Sequence, residues 1–315
     1  MRRDRSSSTR PSVVYPAPPL TEELEIDLPP GANWGLCLSH DIDHLGLREH
    51  LVDGFLPRYV FGVLRQNLAH RFRPLAALDA LGGIALAAAG NDRWDSLGAL
   101  LEAERRAGVR STWFIAVRNG LGISYCPDGA RRAVGMLREA GMQVGLHGQA
   151  HESAEKLAGE VQELSAWCGA KIEGLRMHYL RLTAPVLEGA DRARLQFDST
   201  VMERGRMGPD ELPLSGPRLV RPKLFEIPLH VMDSTLFSAT GLGLDRDGGL
   251  DYVRRLARRA AERHKVLVVN LHSNCYSRQS PQIRDWYDGL LAEATSRSDV
   301  FLTDFAGLLP RIRRP

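Results

Sequence analysis

Asp41 and Asp43 sit in SHDIDH, directly after a short apolar run. Two carboxylates that close repel each other when both are ionised in a dry site. A cation relieves the repulsion, because one carboxylate can ligate it while the other stays free to take a proton from water. The bland alternative is a solvated loop with an Asx turn or a helix cap. It loses weight because the acids follow an apolar strand. His147 and His151 in GLHGQAH are spaced i and i+4, which puts two imidazoles on one face of a helical turn. With one carboxylate they form a usual donor set for Zn²⁺ or a similar divalent ion, leaving positions open for water and substrate. Alone, such a pair is better read as two surface histidines. Its place after an apolar strand, with a DxD at another strand end, reverses that preference.

His272 ends the most apolar run of the chain, KVLVVNLH. A lone histidine there is commonly a core residue bonded to backbone. On a barrel rim facing a metal it would suit protonation of a leaving amine. Arg176 in GLRMHYLR is read equally well as a partner of the free carboxylate or of an oxyanion, and as a structural salt bridge.

These residues need a frame that brings strand ends together. Apolar runs at 34–39, 111–116, 143–147, 172–177, 195–198, 224–229, 266–271 and 300–302 read as strands. Amphipathic stretches near 94–107, 129–140, 152–168, 249–264 and 281–296 read as helices between them. In the fourth of these, Leu250, Val253, Leu256 and Ala260 share a face. Strand alternating with helix implies a parallel sheet, and seven or eight such units imply a closed or nearly closed barrel, whose sites lie at the C-terminal strand ends. A doubly wound open sheet is the second choice. It gains no support from a GxGxxG after the first strand. Residues 47–92 break the rhythm and read as a helical insertion over one barrel mouth, or as a dimer surface. The chain divides into a disordered tail over 1–25, its start rich in Ser, Arg and Pro, and a barrel over 26–315.

Composition narrows the function. The formal charge of +3, from 41 basic and 38 acidic side chains, gives no broad electrostatic case for nucleic acid. Cys37, Cys126, Cys168 and Cys275 form no CxxC pair, so neither a disulfide framework nor a zinc knot is expected. No apolar run of signal-peptide or membrane-spanning length is found. The reading is a cytoplasmic protein without an integral membrane segment, for which a lipid-linked or nucleotide-linked precursor is within reach.

Taken in order, SHDIDH, STWFI, GLHGQAH, GLRMHYLR, FDST and VVNLHS resemble the polysaccharide deacetylase family, also called the NodB-homology or carbohydrate esterase family 4 fold, across residues 34–305. The resemblance implies a distorted (β/α) barrel of seven or eight parallel strands that removes acetyl groups from sugars with one divalent metal ion, Zn²⁺ foremost. It implies Asp41 as catalytic base, Asp43, His147 and His151 as metal ligands, Arg176 as the residue steadying the base, and His272 as catalytic acid. The chain departs from the family where TFDDGP becomes SHDIDH. MHYL replaces a proline-aromatic pair, which brings His178 and Tyr179 forward as substrate-binding candidates. No DxxDW motif is present, so Asp198 or Asp233 is left to supply that carboxylate, Asp198 also being a substrate-binding candidate. The expected function is acetyl removal from an N-acetylated sugar or polysaccharide precursor. A related C–N hydrolase of a small cyclic amide or ureide is weighed against it, as is a non-catalytic sugar-binding relative. The intact HxxxH and the complete polar set favour the first.

Overall fold

A strand inside a barrel is buried on both faces and reads as a continuous apolar run. Such a strand is β1 (Trp34–Ile42), every residue of which is buried. The protein is described by a computed structural model covering residues 22–50, 55–65, 74–203, 208–238 and 240–314. After β1 come α1 (Phe55–Leu64), α2 (Pro74–Ala88), α3 (Leu97–Ala107), β2 (Thr112–Ile115), α4 (Pro127–Glu139), β3 (Gln143–Gly148), α5 (Ala154–Cys168), β4 (Gly174–Met177) and α6 (Ala184–Arg192). Then follow β5 (Phe197–Asp198), β6 (Arg218–Arg221), β7 (Leu224–Glu226), β8 (Val231–Met232), α7 (Asp233–Phe237), α8 (Arg246–Arg263), β9 (Val266–His272), α9 (Pro281–Thr295), β10 (Val300–Thr303) and α10 (Phe305–Leu308).

The strands bond in the order β6-β7-β5-β4-β3-β2-β1-β9-β8, and β10 pairs with β1 beside β2. The β6–β7 hairpin is antiparallel, and the other pairs are parallel. Between β7 and β8 the chain bonds to both ends of the sheet. Ile227 N donates to Asp198 O and Leu229 N to Val201 O, each at 2.8 Å, while His230 N donates to Val268 O at 3.0 Å. The sheet thus curls back on itself as a distorted (β/α) barrel.

Side-chain alternation along these strands makes two cores. Outward residues such as Leu36, Leu38, Leu146, Leu175, Leu267 and Val269 pack under the helices. Inward residues fill the lower barrel, where Phe114, Phe197 and Phe305 meet, the last two stacked at 4.5 Å. Two glycines make room for these rings. A Cβ on Gly174 would lie 1.9 Å from Phe197 Cζ, and one on Gly145 would lie 2.7 Å from Phe114. The upper barrel is left for polar side chains.

One polar group of SHDIDH belongs to the outer core. His40 is fully buried between the sheet and the helices. Its Nδ1 faces Leu271 O at 3.0 Å and its Nε2 faces Glu104 Oε1 at 2.8 Å. Tyr287 Oη and Ser111 Oγ donate to the same carboxylate at 2.6 and 2.7 Å. Truncating one member of a buried ionic network strands the others. Glu104→Ala is therefore expected to cost about 3–5 kcal/mol, read as a lower urea midpoint at unchanged slope. A loss below about 1 kcal/mol would show the network to be dispensable.

In the 47–92 region a 3₁₀ turn at Arg48–His50 precedes α1 and α2, while 51–54 and 66–73 lie outside the described residues. Leu47, Ala87 and Trp94 form a small core there. Trp94 stacks near His44 at 5.3 Å, which places this helical part beside the strand end that carries Asp43. Phe61, Leu75 and Leu78 are exposed. Of the expected tail, residues 1–21 lie outside the described residues. Residues 22–25 are tied to the barrel, because Leu24 N donates to Pro217 O, Arg313 N donates to Glu25 O, and Glu23 pairs with Lys265 and Arg218. Among the described residues no helix is long and apolar enough to cross a membrane.

Candidate active site

Residues two apart on a strand share a face, so Ser39, Asp41 and Asp43 all project into the barrel at the C-terminal end of β1. The same parity brings in Arg176 from β4, His178 from just past its end, and Asn270 and His272 from β9. Register places Asp41 opposite His272 and His147 opposite Arg176.

The lowest polar layer is built on Arg176, which is fully buried with its guanidinium 4.4 Å over the Phe114 ring. Its Nη1 donates to Asp41 Oδ1 (3.0 Å), Asn270 Oδ1 (2.6 Å) and Ser39 Oγ (3.0 Å). Its Nε and Nη2 donate to Ser199 O and Oγ, each at 3.0 Å. Asn270 Nδ2 donates to Asp41 Oδ2 at 3.0 Å. Burial alone would raise the Asp41 pKa, but Arg176, with His147 and His272 nearby, overrides it and holds the carboxyl below its ordinary value. Fully buried below the cleft and bonded to Asp41, Arg176 serves as partner of the carboxylate.

Above this layer three lone pairs converge. His147 Nδ1 donates to Arg176 O at 3.1 Å, which leaves Nε2 as an acceptor. His178 Nε2 donates to Leu121 O at 3.1 Å, which leaves Nδ1 as an acceptor. These two acceptors lie 3.1 Å apart, and each faces Asp43 Oδ1, at 3.2 and 3.4 Å. Asp43 Oδ1 is buried without a hydrogen-bond partner. Three acceptors cannot satisfy one another; they need added protons or a cation. Zinc bonds of about 2.0–2.1 Å in tetrahedral array put donor atoms roughly 3.3–3.4 Å apart, close to this triangle. Asp43, His147 and His178 therefore fit a divalent ion on both spacing and tautomer.

The structure does not bring His151 to this cluster. The helical turn assumed for the HxxxH spacing does not form: His147 belongs to β3 and His151 lies in the turn before α5. His151 Nδ1 donates to Gln149 O at 3.1 Å, and Nε2 faces the exposed Glu152 at 3.5 Å. The third corner is taken by His178, expected from sequence to meet substrate. Asp198 is likewise placed away from the cleft. It occupies the alternate parity of β5, opposite to Ser199, and is fully buried. There it accepts from Thr200 Oγ1 at 2.5 Å and pairs in register with Glu226. Burial pushes its pKa up to about 6.

Of the two carboxylates left open by the missing motif, Asp233 is the one at the cleft. It lies at the start of α7, and its Oδ1 accepts from His272 Nδ1 at 2.7 Å. Burial would lower the His272 pKa, but Asp233, with Asp43 and Asp41, lifts it to about 10. His272 Nε2 points back toward Asp43 Oδ2 at 3.8 Å. Beside it opens a cleft of about 410 Å³, lined by Asp43, His44, Asp233, Phe237, His272 and Asn274. Tyr179, 60% exposed, stands on the His178 side. Sequence reading missed Ser39, Asn270 and Ser199, although each sits two residues or one parity step from a residue it did select.

No family model matches the chain, and no curated protein matches it in sequence. Solved structures do match in fold. A structure described as a polysaccharide deacetylase from Mycobacterium smegmatis superposes with a TM-score of 0.63 at 16% identity, covering 93% of this chain and 94% of that one. One described likewise from Pseudomonas aeruginosa PAO1 gives 0.57 at 12% identity, over 90% and 92%. An allantoinase gives 0.59 at 11% identity, over 98% and 97%.

Proposed function

We propose that this chain, which has the fold of the polysaccharide deacetylases, is a metal-dependent hydrolase that removes an acetyl group from an N-acetylated sugar. The observation that carries the reading is the convergence of Asp43 Oδ1, His147 Nε2 and His178 Nδ1, 3.1–3.4 Å apart, beside a separate ionised carboxylate and a separate imidazole. A divalent ion held by those three residues would supply Lewis-acid polarisation of the acyl carbonyl.

The other residues divide the proton work. Asp41, kept ionised by Arg176 and oriented by Asn270, takes the proton of the attacking water. His272, oriented and kept protonated by Asp233, gives a proton to the departing nitrogen, which is too basic to leave as an anion. The two groups lie in register on the adjacent strands β1 and β9, Asp41 serving the attacking water and His272 the departing nitrogen.

The test is acetate release from a panel of N-acetyl sugars by metal-loaded protein, with allantoin hydrolysis as a parallel arm. Acetate release from sugars is the expected result. Turnover of allantoin alone would replace the reading with cyclic ureide hydrolysis. His272→Ala should slow amide substrates by about 10²–10⁴-fold and activated esters far less, because good leaving groups need no proton. Equal losses on both would make His272 structural.

A further inference from the structure

The chain just beyond His178 is held in a conformation its residues rarely adopt. Tyr179 (φ 55°) and Leu180 (φ 53°) both lie in the left-handed region. The double turn stands the Tyr179 ring outward against the His178 ring, 4.0 Å between centroids. The facing loop fits closely, since a Cβ on Gly122 would meet Tyr179 Oη at 3.0 Å. Arg181 also lies against this ring, its guanidinium carbon 5.3 Å from the Tyr179 centroid. Tyr179 is thus in contact with both the His178 imidazole and the Arg181 guanidinium.

Arg181 is half-buried. Among the described residues no carboxylate lies within ion-pair distance of it, whereas Arg118 and Arg192 pair with Glu163 and Glu188. A guanidinium presents a rigid fork of donors that matches a carboxylate or phosphate, and stacking on a ring preorganises it. Asp41 and Asp233 are offset by Arg176 and His272, at 3.0 and 2.7 Å, whereas among the described residues no carboxylate offsets Arg181. A substrate anion on the His178 side would find its uncompensated cation there.

We propose that Arg181 is a substrate-recognition residue that binds an oxyanion, a carboxylate or a phosphate, on the glycan that enters this cleft. The inference rests on the deacetylase reading for the identity of the cleft, but it is tested by binding and stands or falls separately. Three probes are titrated calorimetrically into metal-loaded protein: a neutral N-acetylglucosamine oligosaccharide, an oligosaccharide of N-acetylated amino-uronic acid, and UDP-N-acetylglucosamine. Wild type should bind one anionic probe about 10–100-fold more tightly than the neutral one, the range of a charge-assisted hydrogen-bonded pair. The uronate and nucleotide arms tell carboxylate from phosphate. Arg181→Gln should remove that preference and leave neutral binding unchanged, while Arg181→Lys, keeping the charge without the fork, should retain part of it. Equal affinity of wild type for all three probes would overturn the inference. So would equal weakening of neutral and anionic probes by Arg181→Gln, which would make Arg181 a packing residue of Tyr179. An anion preference without acetate release would instead sink the deacetylase reading and leave the recognition role standing.

Discussion

Asp41→Asn should lower the rate of acyl hydrolysis by about 10²–10⁴-fold while metal content stays unchanged. The size follows from its role as base, because the substitution removes the proton acceptor and keeps the shape. Metal content is spared because Asp41 lies a layer below the converging acceptors, bonded to Arg176 and Asn270. The pH behaviour follows from the sign of its shift. Arg176 depresses the folded pKa, so the stability this pairing contributes is fully present above the ordinary carboxylate value of about 4 and is lost only as pH falls through the lower folded value. Asp41 stays a base throughout the neutral range. Assays of acetate release at substrate saturation, with elemental analysis of the same sample, check both halves. Unchanged turnover would remove the base assignment. Loss of metal would show that Asp41, not only Asp43, holds the ion. Because the buried Arg176 loses its charge partner, the comparison belongs well below the variant's melting temperature, where circular dichroism shows it folded.

How the sequence shows this site depends on which periodicity governs each residue. Asp41, Asp43, Arg176 and His272 were legible because apolar runs ended at them, and barrel strands place such residues in the mouth. Ser39 and Asn270 were equally legible in principle. Each precedes a chosen residue by two in a strand, and each is a polar side chain in an apolar run, Asn270 the more conspicuous in VVNLH. His40 shows the other side of the rule. One residue out of phase with both aspartates, it faces Glu104 and Tyr287 beneath the helices and takes no part in the cleft. Asp198 fails for the same reason on β5. The closed or nearly closed barrel followed from strand–helix alternation, but the segment that closes it did not. It depends on the 224–232 segment bonding to both β5 and β9, a pairing between stretches far apart in sequence that no local pattern encodes.

Removing the third donor should decide between the two histidines that compete for it. His147→Ala and His178→Ala are each expected to lose most of the bound metal after dialysis, whereas His151→Ala should keep it. The i, i+4 argument for His151 needed a helical turn, yet the backbone leaves β3 extended and turns away, carrying the His151 ring to Gln149 and Glu152. His178 instead arrives by parity, two residues after Arg176 on β4. Its Nε2 donates to the Leu121 carbonyl, so in the neutral ring Nδ1 is the acceptor. A cation is the partner such a nitrogen lacks, and removing either imidazole leaves only two donors, too few to hold zinc against a chelator. The readout need not depend on turnover. A ligand at 100 times its dissociation constant stabilises the folded state by about 2.7 kcal/mol, so metal should raise the melting temperature of wild type and His151→Ala and leave that of His147→Ala and His178→Ala nearly unmoved. If His151→Ala loses both the ion and the thermal shift while His178→Ala keeps them, the donor set is Asp43, His147 and His151, and the His178 ring belongs to the substrate wall.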